Sequence, residues 1–393
     1  MKKLLALVLA LTLVFCLFAG CTPKDPKDVQ PSAENSETPA TDPAGSEPKP
    51  FTIGFAWDTA NPDPNWISIH NNVTAVVEAA GGKIITVESD FTADSLINNV
   101  AELISRDVDG ILYMPASDSM LPTVDAMCAE AGVYWGTIFR TISDEAIKEQ
   151  IYASKYYAGG CFEDDEACAA NVVKAMAKMG TTDLACINIA KGDTSSDLRD
   201  KGAAKGVEEA KINLLNTTYG IAETTNMTKT IESYIAAYPE LNGILILGTY
   251  CPAALPTIEK TLEDHDLAGK VKVGRIDFDS TMGEYLEKGS FHVSYGGQMQ
   301  IDTLMSAVIL VNKVMGTPIK EEGPTIVVTP YLELTSAADA EAYNNFFLGD
   351  ETIYTKDEIK DLLIKFYNKD ADYDYFVDLL SKFSIADVVA RHS

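Results

Sequence analysis

Residues 133–141 read VYWGTIFRT, a run of β-branched and aromatic residues with little polar interruption, closed by Arg140. A strand with one wet face alternates apolar and polar residues; a near-continuous apolar run fits a strand covered on both faces, as in a parallel sheet with crossover helices. Upstream the same rhythm appears in FTIGFAW (51–57), KIITVE (83–88) and DGILYM (109–114). Between these runs, Trp66, Ile69, Val73, Val76 and Val77 fall on one helical face, and Leu96, Val100, Leu103 and Ile104 on another. This is one doubly wound unit.

Downstream the pattern repeats in DLACINIA (183–190), INLLNTTY (212–219), NGILILG (242–248), VKVGRID (271–277) and SFHVSYG (290–296), with helical patterns near 158–179, 196–211, 224–237 and 252–264. The expected fold is therefore α/β, with two doubly wound parallel-sheet lobes. No Pro-rich linker separates them, so chain crossings near 153–155, 297–298 and 327–329 are expected to form a multi-strand hinge. That places residues 51–153 and 298–327 in the first lobe, and 154–297 and 328–393 in the second. The aromatic-rich tail from residue 331 is expected to pack on one lobe.

The chain begins with two lysines, an apolar stretch of signal-peptide length, and Leu17-Phe18-Ala19-Gly20-Cys21. The small residues before the cysteine resemble a bacterial lipobox. The resemblance implies a signal peptide over 1–20, lipidation of Cys21, and a mature chain held at the extracytoplasmic face of the cell membrane by its lipid alone. Residues 21–50 are rich in proline, acids, Ser and Thr, a composition too polar to offset its ordering entropy, and read as a disordered tether.

A formal net charge of −27 argues against nucleic acid or anionic lipid as a partner of the folded part, because either needs a basic face. Besides Cys16 and Cys21, the cysteines at 128, 161, 168, 186 and 251 match no disulfide framework and are expected to be mostly buried thiols. DADYD (370–374) faintly resembles a calcium loop but lacks its central glycine and closing glutamate, so no metal is assigned. There is no G-x-S-x-G, H-E-x-x-H or Walker loop, and His70, His265, His292 and His392 are not in ligand spacing; neither catalysis nor a cofactor is expected.

Open parallel sheets bind ligands outside the carboxyl ends of their strands. The residues following these strands include Asp58, Asn61, Asp63, Asn65 and Trp66; residues 115–119; Phe139 and Arg140; Asp193, Arg199 and Lys201; Tyr250; Asp277; and Gln298. Ring faces stack on the C–H face of a sugar, and charged planar groups grip neighbouring hydroxyls in pairs. Each position also has a plainer reading. Arg140 could pair with Asp144 or Asp118, Asp277 could cap a helix, Trp66 could be core, and Tyr250 could cover a helix start.

Together these features resemble the type I periplasmic binding proteins of the ribose-binding-like family, which serve ABC transporters. IGFAWDTANPDPNWISIHNNV resembles the family's first strand, aromatic loop and helix, and implies Asp63, Asn65 and Trp66 as ligand contacts. The common Asp-Arg after the fourth strand appears here as Phe139-Arg140. GDTSSDLRDKG matches a second-lobe loop through Arg199 or Lys201, and Thr249-Tyr250 replaces Asn-Asp. VGRIDFDSTMGEYLEKG matches Asp277 to the ligand aspartate, and Gln298 falls one residue from the hinge glutamine. The resemblance implies a monomeric receptor that captures a small polar solute, a sugar before other classes, and passes it to a permease. Its more aromatic cleft leaves open a nucleoside or another flat solute, and the same cleft would serve a sensor signalling to a membrane kinase or chemoreceptor.

Overall fold

The computed structural model describes residues 48–251 and 253–392. The expected signal peptide, Cys21 and the tether up to residue 47 lie outside the described residues. Along the chain come β1 (Thr52–Ala56), α1 (Pro64–Ala79), β2 (Lys83–Val87), α2 (Ala93–Ser105), β3 (Gly110–Tyr113), α3 (Leu121–Ala131), β4 (Tyr134–Phe139), α4 (Glu145–Tyr152) and β5 (Tyr157–Glu163). The second series is α5 (Asp165–Lys178), β6 (Asp183–Asn188), α6 (Thr194–Ala210), β7 (Asn213–Tyr219), α7 (Thr224–Ala237), β8 (Gly243–Ile246), α8 (Ala254–Asp264), β9 (Lys272–Ile276), α9 (Met282–Lys288) and β10 (Val293–Gly296). Then follow α10 (Gln298–Val314), β11 (Thr325–Thr329), β12 (Leu332–Leu334), α11 (Ala337–Phe346), α12 (Lys356–Glu358), α13 (Tyr373–Lys382) and α14 (Ile385–Arg391).

These elements form two six-stranded sheets, ordered β11-β5-β4-β3-β1-β2 and β12-β10-β9-β8-β6-β7. Every pairing is parallel except that of β12 with β10. Both lobes thus carry the α/β layering read from the sequence, and the central strands β3, β4 and β8 are buried along nearly their whole length. Burial on both faces is why they appear as apolar runs rather than alternating ones.

Two expectations need correction. Residues 157–163 are strand, not the start of a helix, and they belong to the first sheet; the first crossing therefore lies at Glu163–Asp164 instead of 153–155. Glycines make this placement possible. At Gly159, φ is 114° and a Cβ would collide with the Thr325 carbonyl, while one at Gly160 would strike that of Thr137. The backbones of β4, β5 and β11 approach too closely for side chains there, and two glycines weaken the local strand signal.

The second correction concerns the tail, which spans both lobes. Its β12 extends the second sheet and α11 packs on α9, yet the Phe347 carbonyl accepts from Ser68 of α1, and Asn312 of α10 donates to the Leu363 carbonyl at 3.0 Å. Tyr343, Phe347, Tyr354 and Phe376 are fully buried, so the aromatic content of the tail is core material shared between the lobes.

Helix α10 is buried nearly all round and carries polar residues where apolar ones would be ordinary. Two of them, one turn apart, replace missing ladder bonds: Asp302 accepts from the Phe139 N–H at 3.0 Å, and Ser306 accepts from that of Cys161 at 2.8 Å. A buried backbone donor left alone would be costly, so these side chains fix the ends of β4 and β5 against the helix. All five cysteines among the described residues are buried and free. Burial pushes the Cys128 thiol up to about 12, with Asp125 adding to the shift.

Candidate functional site

The strand ends of the two sheets meet at Arg140. Its guanidinium bonds Ser195 Oγ and lies 3.3 Å from the Asp193 carboxylate, both at the N-terminus of α6 in the other lobe. Neither Asp144 nor Asp118 takes it: Asp118 instead accepts from the Ser143 and Asp144 N–H groups, and Asp144 caps α4. Phe139, just before it, has φ of 63°, a left-handed conformation that a bulky residue adopts only when its surroundings impose it. Here the bond to Asp302 does so, and it turns the chain so that Arg140 leaves the strand toward the second lobe.

The second lobe contributes a buried charge network. Arg199, on α6, donates to Asp165 at 2.6 Å, to the Leu247 carbonyl at 2.7 Å and to Asp277 at 3.0 Å. Asp277 also accepts from Gln298 at 2.9 Å and keeps 20% of its side chain exposed, whereas Arg199 keeps 4%. Burial would push the Asp277 carboxyl up, but the Arg199 charge and the bonds from Gln298 and Arg199 outweigh it and hold the group below its usual value. Asp277, too, is left-handed, with φ of 73°. It does not cap α9, whose N-cap is Thr281. Lys201 is exposed, so of the two cations considered for this loop Arg199 alone enters the network.

On the first lobe stands a wall of rings. Trp57 stacks on Trp66 with centroids 4.5 Å apart, Phe91 meets both edge-on, and Phe139 lies 6.3 Å from Trp57. Trp57 and Asp58 help enclose a cavity of about 230 Å³ with Trp66, Asn61 and His70. Asp63 caps α1, accepting from the Asn65 N–H at 2.8 Å, and Pro64 opens that helix, a favourable first-turn residue. Asn65 holds the tail: its side-chain oxygen accepts from the Tyr343 hydroxyl and from Gln300 at 3.2 Å. Tyr250 is 61% exposed at the rim.

The candidates thus divide. Arg199, Asp277 and Gln298 form one cluster, Arg140 reaches the lobe that holds Arg199 and Asp277, and Phe139 and Trp66 supply rings, while Asp63 and Asn65 are engaged in capping and in anchoring the tail. Sequence reasoning passed over Trp57, Glu163, Asp165, Asp302 and Tyr331. Glu163 ends and Asp165 follows a strand read as helix, and Asp302 sits inside a helix, where no strand-end rule looks. Among the described residues no group of three or more His, Cys, Asp or Glu side chains is arranged to hold a metal ion, and no helix is long and apolar enough to cross a membrane.

Two α/β lobes whose strand ends face one another across a polar seam define a class of two-lobed solute-binding proteins. Residues 53–316 match the family model described as a periplasmic binding protein domain, and the chain belongs to that family, in its type I, ribose-binding-like form. Among solved structures, it is similar to an ABC transporter periplasmic solute-binding protein from Actinobacillus succinogenes with bound D-allose (18% identity, 75% of this chain and 100% of that one, TM-score 0.63). A solute-binding protein from Bacillus halodurans with bound myo-inositol is similar at 16% identity, over 77% and 99% of the chains, with TM-score 0.60. A periplasmic ribose ABC transporter protein from Conexibacter woesei is similar at 13% identity, over 77% and 97%, with TM-score 0.63. No curated protein matches the chain in sequence.

Proposed function

We propose that the protein is a lipid-anchored, monomeric extracytoplasmic receptor that captures a small polar solute, a sugar, between its lobes and delivers it to an ABC permease. The reading is carried by one observation: Arg140 of the first lobe joins the α6 terminus beside the Arg199–Asp277–Gln298 cluster, so groups from both lobes line one seam. A solute that touches both lobes favours the closed state over the open one, and capture and closure become one equilibrium. Trp66 and Phe139 offer ring faces, Asp277 and Arg140 offer charged forks, and Tyr250 sits at the rim. Similar folds that hold D-allose and myo-inositol favour polyhydroxylated ligands. No step of this function needs a cofactor or a covalent intermediate.

The density of rings around Trp57 favours one second reading, a nucleoside in place of a sugar. Isothermal titration with D-ribose, D-allose, D-glucose, myo-inositol, adenosine and uridine, paired with small-angle scattering, separates the two. A sugar that binds at micromolar levels and compacts the protein is the expected result. Binding of nucleosides alone moves the assignment to the second reading, and binding without compaction defeats the clamshell. Anchoring through Cys21 is tested by metabolic labelling with palmitate, which Cys21→Ser should abolish.

A further inference from the structure

Behind the seam the carboxyls outnumber the cations. Glu163 at the end of β5, Asp165 at the start of α5, Asp277 after β9 and Asp302 on α10 are the acids that crowd together there. Arg199 is divided between Asp165 and Asp277, and Arg140 is engaged by Asp193 and Ser195. Glu163 and Asp302 are left with neutral donors. Asp302 has the Phe139 N–H, and Glu163 has only the Tyr331 hydroxyl at 3.1 Å, whose oxygen also lies 2.8 Å from Asp165 Oδ1, so its single proton serves one acid at a time. Both acids are at least nine-tenths buried, and each keeps one oxygen, Glu163 Oε1 and Asp302 Oδ2, with no hydrogen-bond partner.

A third orphan completes the pattern. Gln298 is fully buried and donates its amide to Asp277, which fixes its carboxamide in the cluster, yet its Oε1 also lacks a partner. With the two acids ionised, all three orphans are acceptors, and burial pushes both carboxyls toward the protonated form instead. Buried acceptors without donors are costly, and buried carboxylates without a counter-charge more so. A sugar hydroxyl brings one proton and no charge, whereas a protonated amine brings three N–H donors and the missing positive charge. Glu163 and Asp165 line part of a cavity of about 640 Å³, together with Lys148 and Lys205.

We propose that the solute carries a protonated primary amine, as an amino sugar does, and that its ammonium is received by Glu163, Asp302 and Gln298. The inference rests on the reading of the seam as a sugar site and names the chemical class of that sugar. Glu163 faces Asp165, Asp277 and Asp302 together with Arg199, Arg140 and the Tyr331 hydroxyl. Without a ligand, burial pushes its carboxyl well above the usual carboxylate range, the charges of Asp165 and Asp277 adding to the shift against Arg199 and Arg140, which favours the protonated acid. An ammonium beside it favours the carboxylate. Binding therefore releases a proton from Glu163 to solvent, and affinity rises with pH until the amine itself begins to lose its proton.

The test is titration calorimetry of the full-length protein, purified in detergent, with matched pairs: D-glucosamine against D-glucose, D-galactosamine against D-galactose, and D-mannosamine against D-mannose. At least one amino sugar is expected to bind tenfold or more tighter than its neutral partner, equivalent to about 1.4 kcal/mol. Its heat should vary with the ionisation enthalpy of the buffer, as proton release requires. Glu163→Gln and Asp302→Asn, made singly, should each bring the amino-to-neutral affinity ratio toward one. Neutral sugars that bind as tightly as their amino partners, with no buffer-dependent heat, overturn the amine assignment and leave the sugar receptor standing. Absence of binding by both members of every pair, and by the neutral sugars of the wider panel, overturns both.

Discussion

The fourth strand of each lobe ends in the same unusual backbone and puts it to a different use. Phe139 closes β4 and Asp277 follows β9, both left-handed, both turning the chain away from the strand direction. In the first lobe the strained residue is a ring, and the charge comes one position later, on a part-exposed Arg140 that reaches across the seam. In the second lobe the strained residue is itself the charge, tied to Arg199 and Gln298 before any solute arrives. Strain of this kind costs on the order of 1–3 kcal/mol and persists where the surroundings over-determine it. In the receptor proposed above, a preorganised second lobe would receive the solute and a part-exposed arginine on the first lobe would respond to it.

The largest expected effect breaks the rigid side. Arg199→Met leaves Asp165 and Asp277 buried without their cation and should destabilise the protein by about 3–5 kcal/mol in urea denaturation. A loss below about 1 kcal/mol would mean that this network is not preorganised. Arg140→Ala tests the responsive side. It should weaken the best sugar roughly tenfold or more, in line with about 1.5–3 kcal/mol for a charge-assisted bond, while leaving urea stability nearly unchanged. Scattering on that variant should show a smaller ligand-induced compaction.

A pH series sharpens the comparison at the floor of the seam. Glu163 is raised from 4.5 to about 8 on folding, so above 4.5 the unfolded chain gives up a proton that the native one retains. Its contribution therefore lowers stability progressively as pH rises from about 4.5 to 8, and Glu163→Gln should flatten that part of the stability profile. The smallest effect belongs to Asp63. Asp63→Ala removes the cap of α1 and should cost about 0.5–2 kcal/mol, with sugar affinity within twofold of the parent. A larger affinity loss would return Asp63 to the ligand.

Much of this site was legible along the chain because strand ends are. Arg140, Asp277 and Gln298 each follow an apolar run, and in a parallel sheet that position alone brings a residue toward the seam; Arg199 lies farther on, within α6. The roles of Asp63 and Asn65 were not legible in the same way. A capping aspartate and a ligand aspartate occupy the same place in sequence, and the partner that engages Asn65, Tyr343, lies 278 residues away.

The sequence by itself determined the alternation of strands and helices, the two lobes and the positions of their strand ends, because hydrophobic periodicity is set by neighbours within one turn or one pleat. Tertiary structure decided the rest: that 157–163 is a strand squeezed between two backbones, that the tail crosses from one lobe to the other, and that Glu163, Asp165, Asp277 and Asp302 crowd together with fewer cations than carboxyls. Those outcomes depend on contacts between residues from about twenty to well over a hundred positions apart, and the balance of charge in a buried cluster is a sum over elements that no local pattern contains.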